Sequence, residues 1–203
     1  MEKANRCIMA GLKRIPTYLV MLVALIGLTS CSTTYTIYGQ DMFQGKNFLA
    51  EEEYEQARGD FLKAYQTLKN PDALVFAATA SYKLNDLPAA EGYISDAEQS
   101  IKETSLYCLR MLGYKALILL KDLKRQEGME ALKVYLDNYR HLYPLTTINE
   151  VEKMMKQEKI NMTLLEKLID EQVKVYEDEV TQYLETNTGF LARFSGGRVR
   201  MRP

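Results

Sequence analysis

The chain has 203 residues, with 26 Lys and Arg against 27 Asp and Glu, and a single histidine. One histidine excludes multi-histidine zinc sites and leaves one imidazole for acid–base work. Between Cys31 and Glu185, 18 basic residues stand against 26 acidic ones, a net of −8, so this body has no electrostatic reason to hold nucleic acid. In chain order, Lys13 and Arg14 come first, then an apolar run from Tyr18 to Leu28 closed by Leu28-Thr29-Ser30-Cys31. A basic flank, an apolar stretch of roughly 7–15 residues and a small-residue end are the parts of a secretory signal. The run is shorter than the roughly 20 residues that span a bilayer.

With a cysteine directly after the small residue, residues 1–31 resemble a bacterial lipoprotein signal peptide. The resemblance implies cleavage before Cys31, removal of residues 1–30 and a diacylglycerol on the Cys31 sulfur. An uncleaved signal anchor is the alternative. Cys7 would leave with the signal, so Cys108 would be the one thiol left, and no internal disulfide would be available in an oxidising compartment. Stability then rests on packing, and 31–203 is long enough for one ordinary core. Several acyl chains give stable membrane attachment, where one gives only marginal binding. Ser32 after the cysteine implies, by the family's sorting pattern, an outer-membrane protein facing the periplasm. Residues 31–40, rich in Ser, Thr and Tyr, read as a polar spacer.

From Asp41 to Glu185 the only prolines are Pro71, Pro88 and Pro144, and strand-type alternation is absent. Apolar residues recur at three and four, as in Phe61, Leu62, Ala64, Tyr65 and Leu68, or Leu165, Leu168, Ile169, Val173, Tyr176, Val180 and Leu184. That period predicts an all-α fold. Within 41–143, Gly45, Phe48, Tyr54, Ala57, Phe61 and Ala64 carry the small–aromatic spacing of two closely packed helices. Asn70-Pro71-Asp72 marks a new start, Asn85-Asp86-Leu87 a turn, and Ala90, Ile94 and Ala97 repeat the pattern 33 residues after Ala57. These segments resemble tetratricopeptide repeats (TPR), whose period is about 34. A third, stretched copy would run from Leu106 to Leu123, turn at Lys124–Gly128, and continue through Ala131 and Tyr135. Asp41 and Gln44 depart from the family's usual Trp and Leu. The resemblance implies a helical-hairpin solenoid. Residues 144–186, with helices at Ile148–Glu158 and Met162–Glu185 and Asn161 as an N-cap, would form its C-terminal capping pair. Residues 187–203 read as a basic disordered tail.

No catalytic constellation emerges, and the chain reads as a non-enzyme without metal or cofactor. His141 lies at a helix end with no nearby nucleophile, a place where histidine usually complements the helix dipole. Gly196-Gly197 lacks the strand and helix of a phosphate loop. Glu51-Glu52-Glu53 is a charged turn. Cys108 sits among leucines as a small hydrophobe. Met154 and Met155 read as core fillers, since no histidine accompanies them. In the tail, Arg193, Arg198, Arg200 and Arg202 interleave with Phe190, Leu191 and Phe194, which suits contact with anionic envelope material or a flexible solubilising end.

The TPR resemblance implies an adaptor that binds envelope proteins or peptides, attached to the membrane through Cys31. By the repeat register Lys46, Thr79, Tyr82 and Lys83 should line its groove and take an acidic or C-terminal carboxylate segment. Two rivals stand beside it. One is an oligomeric structural lipoprotein joined through the 162–185 helix, which needs an exposed apolar stripe there. The other is an envelope hydrolase, which needs two converging carboxylates.

Overall fold

The computed structural model describes residues 17–101, 105–142 and 147–186, and every regular element among them is an α-helix. In order these are α1 (Thr17–Ala50), α2 (Tyr54–Leu68), α3 (Pro71–Lys83), α4 (Leu87–Ser100), α5 (Cys108–Lys121), α6 (Arg125–Leu142), α7 (Ile148–Met155) and α8 (Met162–Thr186). The all-α expectation is thus met by the described residues. None of their helices is long and apolar enough to cross a membrane. Cys7 and the four tail arginines lie outside the described residues, as do the side chains of Cys31 and His141.

Three connections share one geometry. The α1/α2, α3/α4 and α5/α6 turns are each three residues, centred on Glu52, Asn85 and Leu123, which adopt positive φ of 63°, 61° and 62°. In each, the last turn residue donates its backbone N–H to a carbonyl five back: Glu53 to Phe48 (2.8 Å), Asp86 to Ser81 (2.9 Å), Lys124 to Leu119 (2.9 Å). This is the left-handed C-terminal closure that satisfies the carbonyls a helix leaves open. Starts are equally local. The Asn70 side chain accepts from the Asp72 N–H at 3.0 Å with Pro71 at the first helical position, and Asn161 accepts from the Leu164 N–H at 3.1 Å.

Matching positions then carry matching sizes, with one exception at Tyr135. The fourth, eighth and eleventh residues of α2, α4 and α6 are Ala57/Phe61/Ala64, Ala90/Ile94/Ala97 and Gly128/Leu132/Tyr135, all buried. The third copy is therefore aligned on Gly128, not on Ala131. Its turn is Asp122–Lys124, not Lys124–Gly128, and α5 is no longer than α3 by more than a residue. The extra residues sit instead in the α4/α5 connection, because an insertion in a loop leaves helix packing intact where one inside a helix would rotate its faces. Close approach explains the glycines. A Cβ on Gly45 would stand 2.7 Å from the Phe61 ring, and one on Gly128 2.7 Å from Leu120. Tyr135, large where its counterparts are Ala, is accommodated by Gly113, where a Cβ would lie 3.1 Å from the tyrosine ring and 2.7 Å from Ile169.

Each helix from α1 to α6 packs against its successor, and α3 also meets α5. Helices α3 and α5 are apolar nearly all round, so both are central. Two further boundaries differ from the sequence reading. The spacer expected at 31–40 is part of the continuous helix α1, and α7 stops at Met155 rather than Glu158. Capping does not describe α8 either. It lies along α5 with Leu165, Ile169 and Val173 fully buried, in one core with α3, α5 and α6.

Candidate functional site

The four expected groove residues come from α1 (Lys46) and α3 (Thr79, Tyr82, Lys83), and the structure gives them three different fates. Thr79 is 1% exposed and its hydroxyl donates back to the Val75 carbonyl at 3.0 Å, so it presents nothing to a partner. Tyr82 and Lys83 do face the surface formed by the first helices of the pairs, but α8 already covers them. The Tyr82 hydroxyl donates to Glu166 Oε2 at 3.0 Å; Lys83 Nζ donates to Glu166 Oε1 and Asp170 Oδ2, both at 2.6 Å. Of the two lysines, Lys46 differs from Lys83 in having no ion pair with any described residue.

The row continues along α5. Tyr114 donates to Asp170 Oδ1 at 2.5 Å, and Arg110 grips Glu177 through Nε and Nη2, both at 2.8 Å. Such a two-pronged guanidinium–carboxylate contact fixes orientation as well as charge. Deeper in, buried Gln172 accepts from the Tyr135 hydroxyl and donates to Thr147, both at 2.7 Å. Glu166, Asp170 and Glu177 are four and seven residues apart, so they share one side of α8 next to its apolar stripe. Burial, then the charges of Glu166 and Asp170, push the Tyr82 hydroxyl well above the usual tyrosine range. Tyr114 is raised likewise, by burial and then by Asp170. Burial pulls the Lys83 ammonium down, yet its bonds to Asp170 and Glu166 outweigh this and hold it above its ordinary value.

At the other end of this face, Lys46 Nζ donates to the Tyr107 hydroxyl at 2.6 Å and lies 4.9 Å from the Phe76 ring centre and 4.7 Å from that of Tyr107. Ring faces attract a cation, but they leave its charge unneutralised. Arg110 stacks on the same Phe76 ring at 4.6 Å. Tyr38 stands close by, its hydroxyl raised by burial and then by Asp72 and Tyr107. Arg110, Tyr114 and the three α8 carboxylates escaped the sequence reading. Their only signal was the placing of Glu166, Asp170 and Glu177 beside an apolar stripe.

Other candidates fall where packing puts them. Met154 is buried and Met155 packs against the core; Cys108 is half-buried and forms no disulfide among the described residues. Glu51, Glu52 and Glu53 are exposed at the α1/α2 turn. No three or more His, Cys, Asp or Glu side chains among the described residues are grouped to hold a metal ion. On α8 the apolar stripe turns inward; Leu164, Val175 and Leu184 are exposed singly, not as the stripe an oligomer would need. No family model matches the chain, and no curated protein matches it.

Proposed function

We propose that this chain is a membrane-anchored lipoprotein of tetratricopeptide type, lipidated at Cys31, that serves as a protein–protein adaptor in the cell envelope, at the outer membrane facing the periplasm. Three helix pairs closed by one turn geometry, with small residues at matching positions, support the repeat reading. The basic flank, apolar run and Cys31 support the anchor.

One observation carries the binding role. The first-helix face already holds a helix by its carboxylates, through Tyr82, Lys83, Tyr114 and Arg110. A surface that takes an acidic amphipathic helix within the chain has the chemistry to take an acidic segment of a partner. Because α8 occupies Lys83, the open position is Lys46, a cation held by a phenol and two ring faces with no carboxylate partner among the described residues. A partner carboxylate there would complete the charge pairing in a half-buried setting, where such pairs gain more than at an open surface.

The test is crosslinking and capture from the native envelope with wild type, Cys31→Ala and Lys46→Glu. A defined set of envelope proteins recovered with wild type, lost with Lys46→Glu and displaced from the membrane fraction with Cys31→Ala supports both halves. Capture unchanged in Lys46→Glu sinks the groove, and membrane retention of Cys31→Ala sinks the lipid anchor.

A further inference from the structure

Away from the α8 face, helices α4 and α6 stand apart over the outer side of α5 and leave an open cleft of about 920 Å³. Its floor is apolar, built by Ile94, Ile118 and Leu119, with Val134 on α6 left 40% exposed at the side. Its rim is acidic. Two rim carboxylates are answered: Lys124 holds Glu91 at 2.7 Å and Lys115 holds Glu98 at 2.6 Å. Glu127 and Glu130, one helical turn apart on α6 and both exposed, carry no ion pair with any described residue. An apolar trough edged by uncompensated negative charge selects an occupant that is basic and apolar at once.

The C-terminal segment has that character. Residues 187–203 hold four arginines and no acidic residue, and Arg198-Val199-Arg200-Met201-Arg202 alternates charge with apolar side chains. Laid out as an extended strand, that alternation sends Val199 and Met201 to one side and the arginines to the other. We propose that this segment docks in the α4/α6 cleft of its own chain, with Val199 and Met201 on the Ile118–Leu119 floor and its arginines at Glu127 and Glu130. Reach is no obstacle. At about 3.3 Å per residue the segment extends roughly 50 Å from Thr186, against a radius of gyration of about 15 Å for a body of this length. Tethering also favours the chain's own cleft over a neighbour's, since a short linker supplies an effective concentration in the millimolar range. The cleft uses α4, α5 and α6 and none of the residues around Lys46, so it stands apart from the adaptor proposal.

The experiment is photocrosslinking in the full chain, with benzoylphenylalanine in place of Met201 and the products mapped by mass spectrometry. Crosslinks within one chain to the segments around Ile94, Ile118 and Val134 are expected, falling at least tenfold when Glu127→Lys and Glu130→Lys are combined. Both substitutions are on exposed positions, and an unchanged circular dichroism spectrum shows that the fold survives them. Crosslinks scattered over the surface, insensitive to the charge reversal, or formed between chains in proportion to concentration would each overturn the proposal.

Discussion

On the α3/α5 face Lys83 meets Glu166 and Asp170, Arg110 meets Glu177, and Tyr82 and Tyr114 complete the row. On the α4/α6 side Glu127 and Glu130 meet no cation among the described residues, and the trough beside them is open. The two regions draw on the same residue types and differ in whether the described chain supplies the complement. Where it does, charge has become part of the architecture, and changing it should unfold the protein. Where it does not, charge is available, and changing it should alter binding alone.

The largest effect should come from the best-enclosed pair. Arg110 and Glu177 are 12% and 14% exposed, and removing one partner of a buried pair strands the other charge, at about 3–5 kcal/mol. Arg110→Ala should lower the unfolding free energy measured in urea by that much, while the double change Arg110→Met with Glu177→Leu should recover most of the loss. Alkaline pH comes next. Tyr82 and Tyr114 resist deprotonation in the folded state, whereas the unfolded tyrosine ionises near pH ~10. Their contribution is therefore fully present below that pH and lost above it, because the unfolded chain then holds fewer protons than the folded one. Stability should fall by about 1.4 kcal/mol per pH unit for each tyrosine above pH ~10, and Tyr114→Phe should flatten the curve. Gly113→Ala forces a methyl against Ile169 and Tyr135, so a loss of about 1–3 kcal/mol is expected in thermal or urea unfolding. At the small end, Glu127→Lys with Glu130→Lys should stay within about 0.5 kcal/mol of wild type. A larger loss would mean that the α4/α6 rim is architectural as well, and the contrast between the two faces would collapse.

Much of the fold was readable because it is local. Asn70, Pro71, Asn85 and Asn161 act at caps and turns within a few residues of themselves, and the helical period of apolar residues needs no knowledge of the partner surface. The third helix pair was read three residues out of register for a different reason. Gly128 and Tyr135 exchange the expected size order, and the compensating Gly113 lies on another helix. The placement of α8 was equally hidden. An amphipathic helix shows which side it buries but not against what, and Lys83 meets a carboxylate 83 residues away in sequence. Lys46 was named for its register, yet what distinguishes it from Lys83 is a long-range absence that no local pattern records.

Helix α1 runs unbroken through Cys31 to Ala50. If that cysteine carries lipid, the link between membrane and the packed part of α1, which begins near Tyr38, is a stiff stem about 10 Å long, at 1.5 Å per residue, rather than a slack polar tether. A stem of this kind transmits torque and fixes orientation, so the first-helix face would stand at a set angle and height above the headgroups. Breaking the stem with a proline near Gly39 would turn a lever into a leash without touching any binding residue.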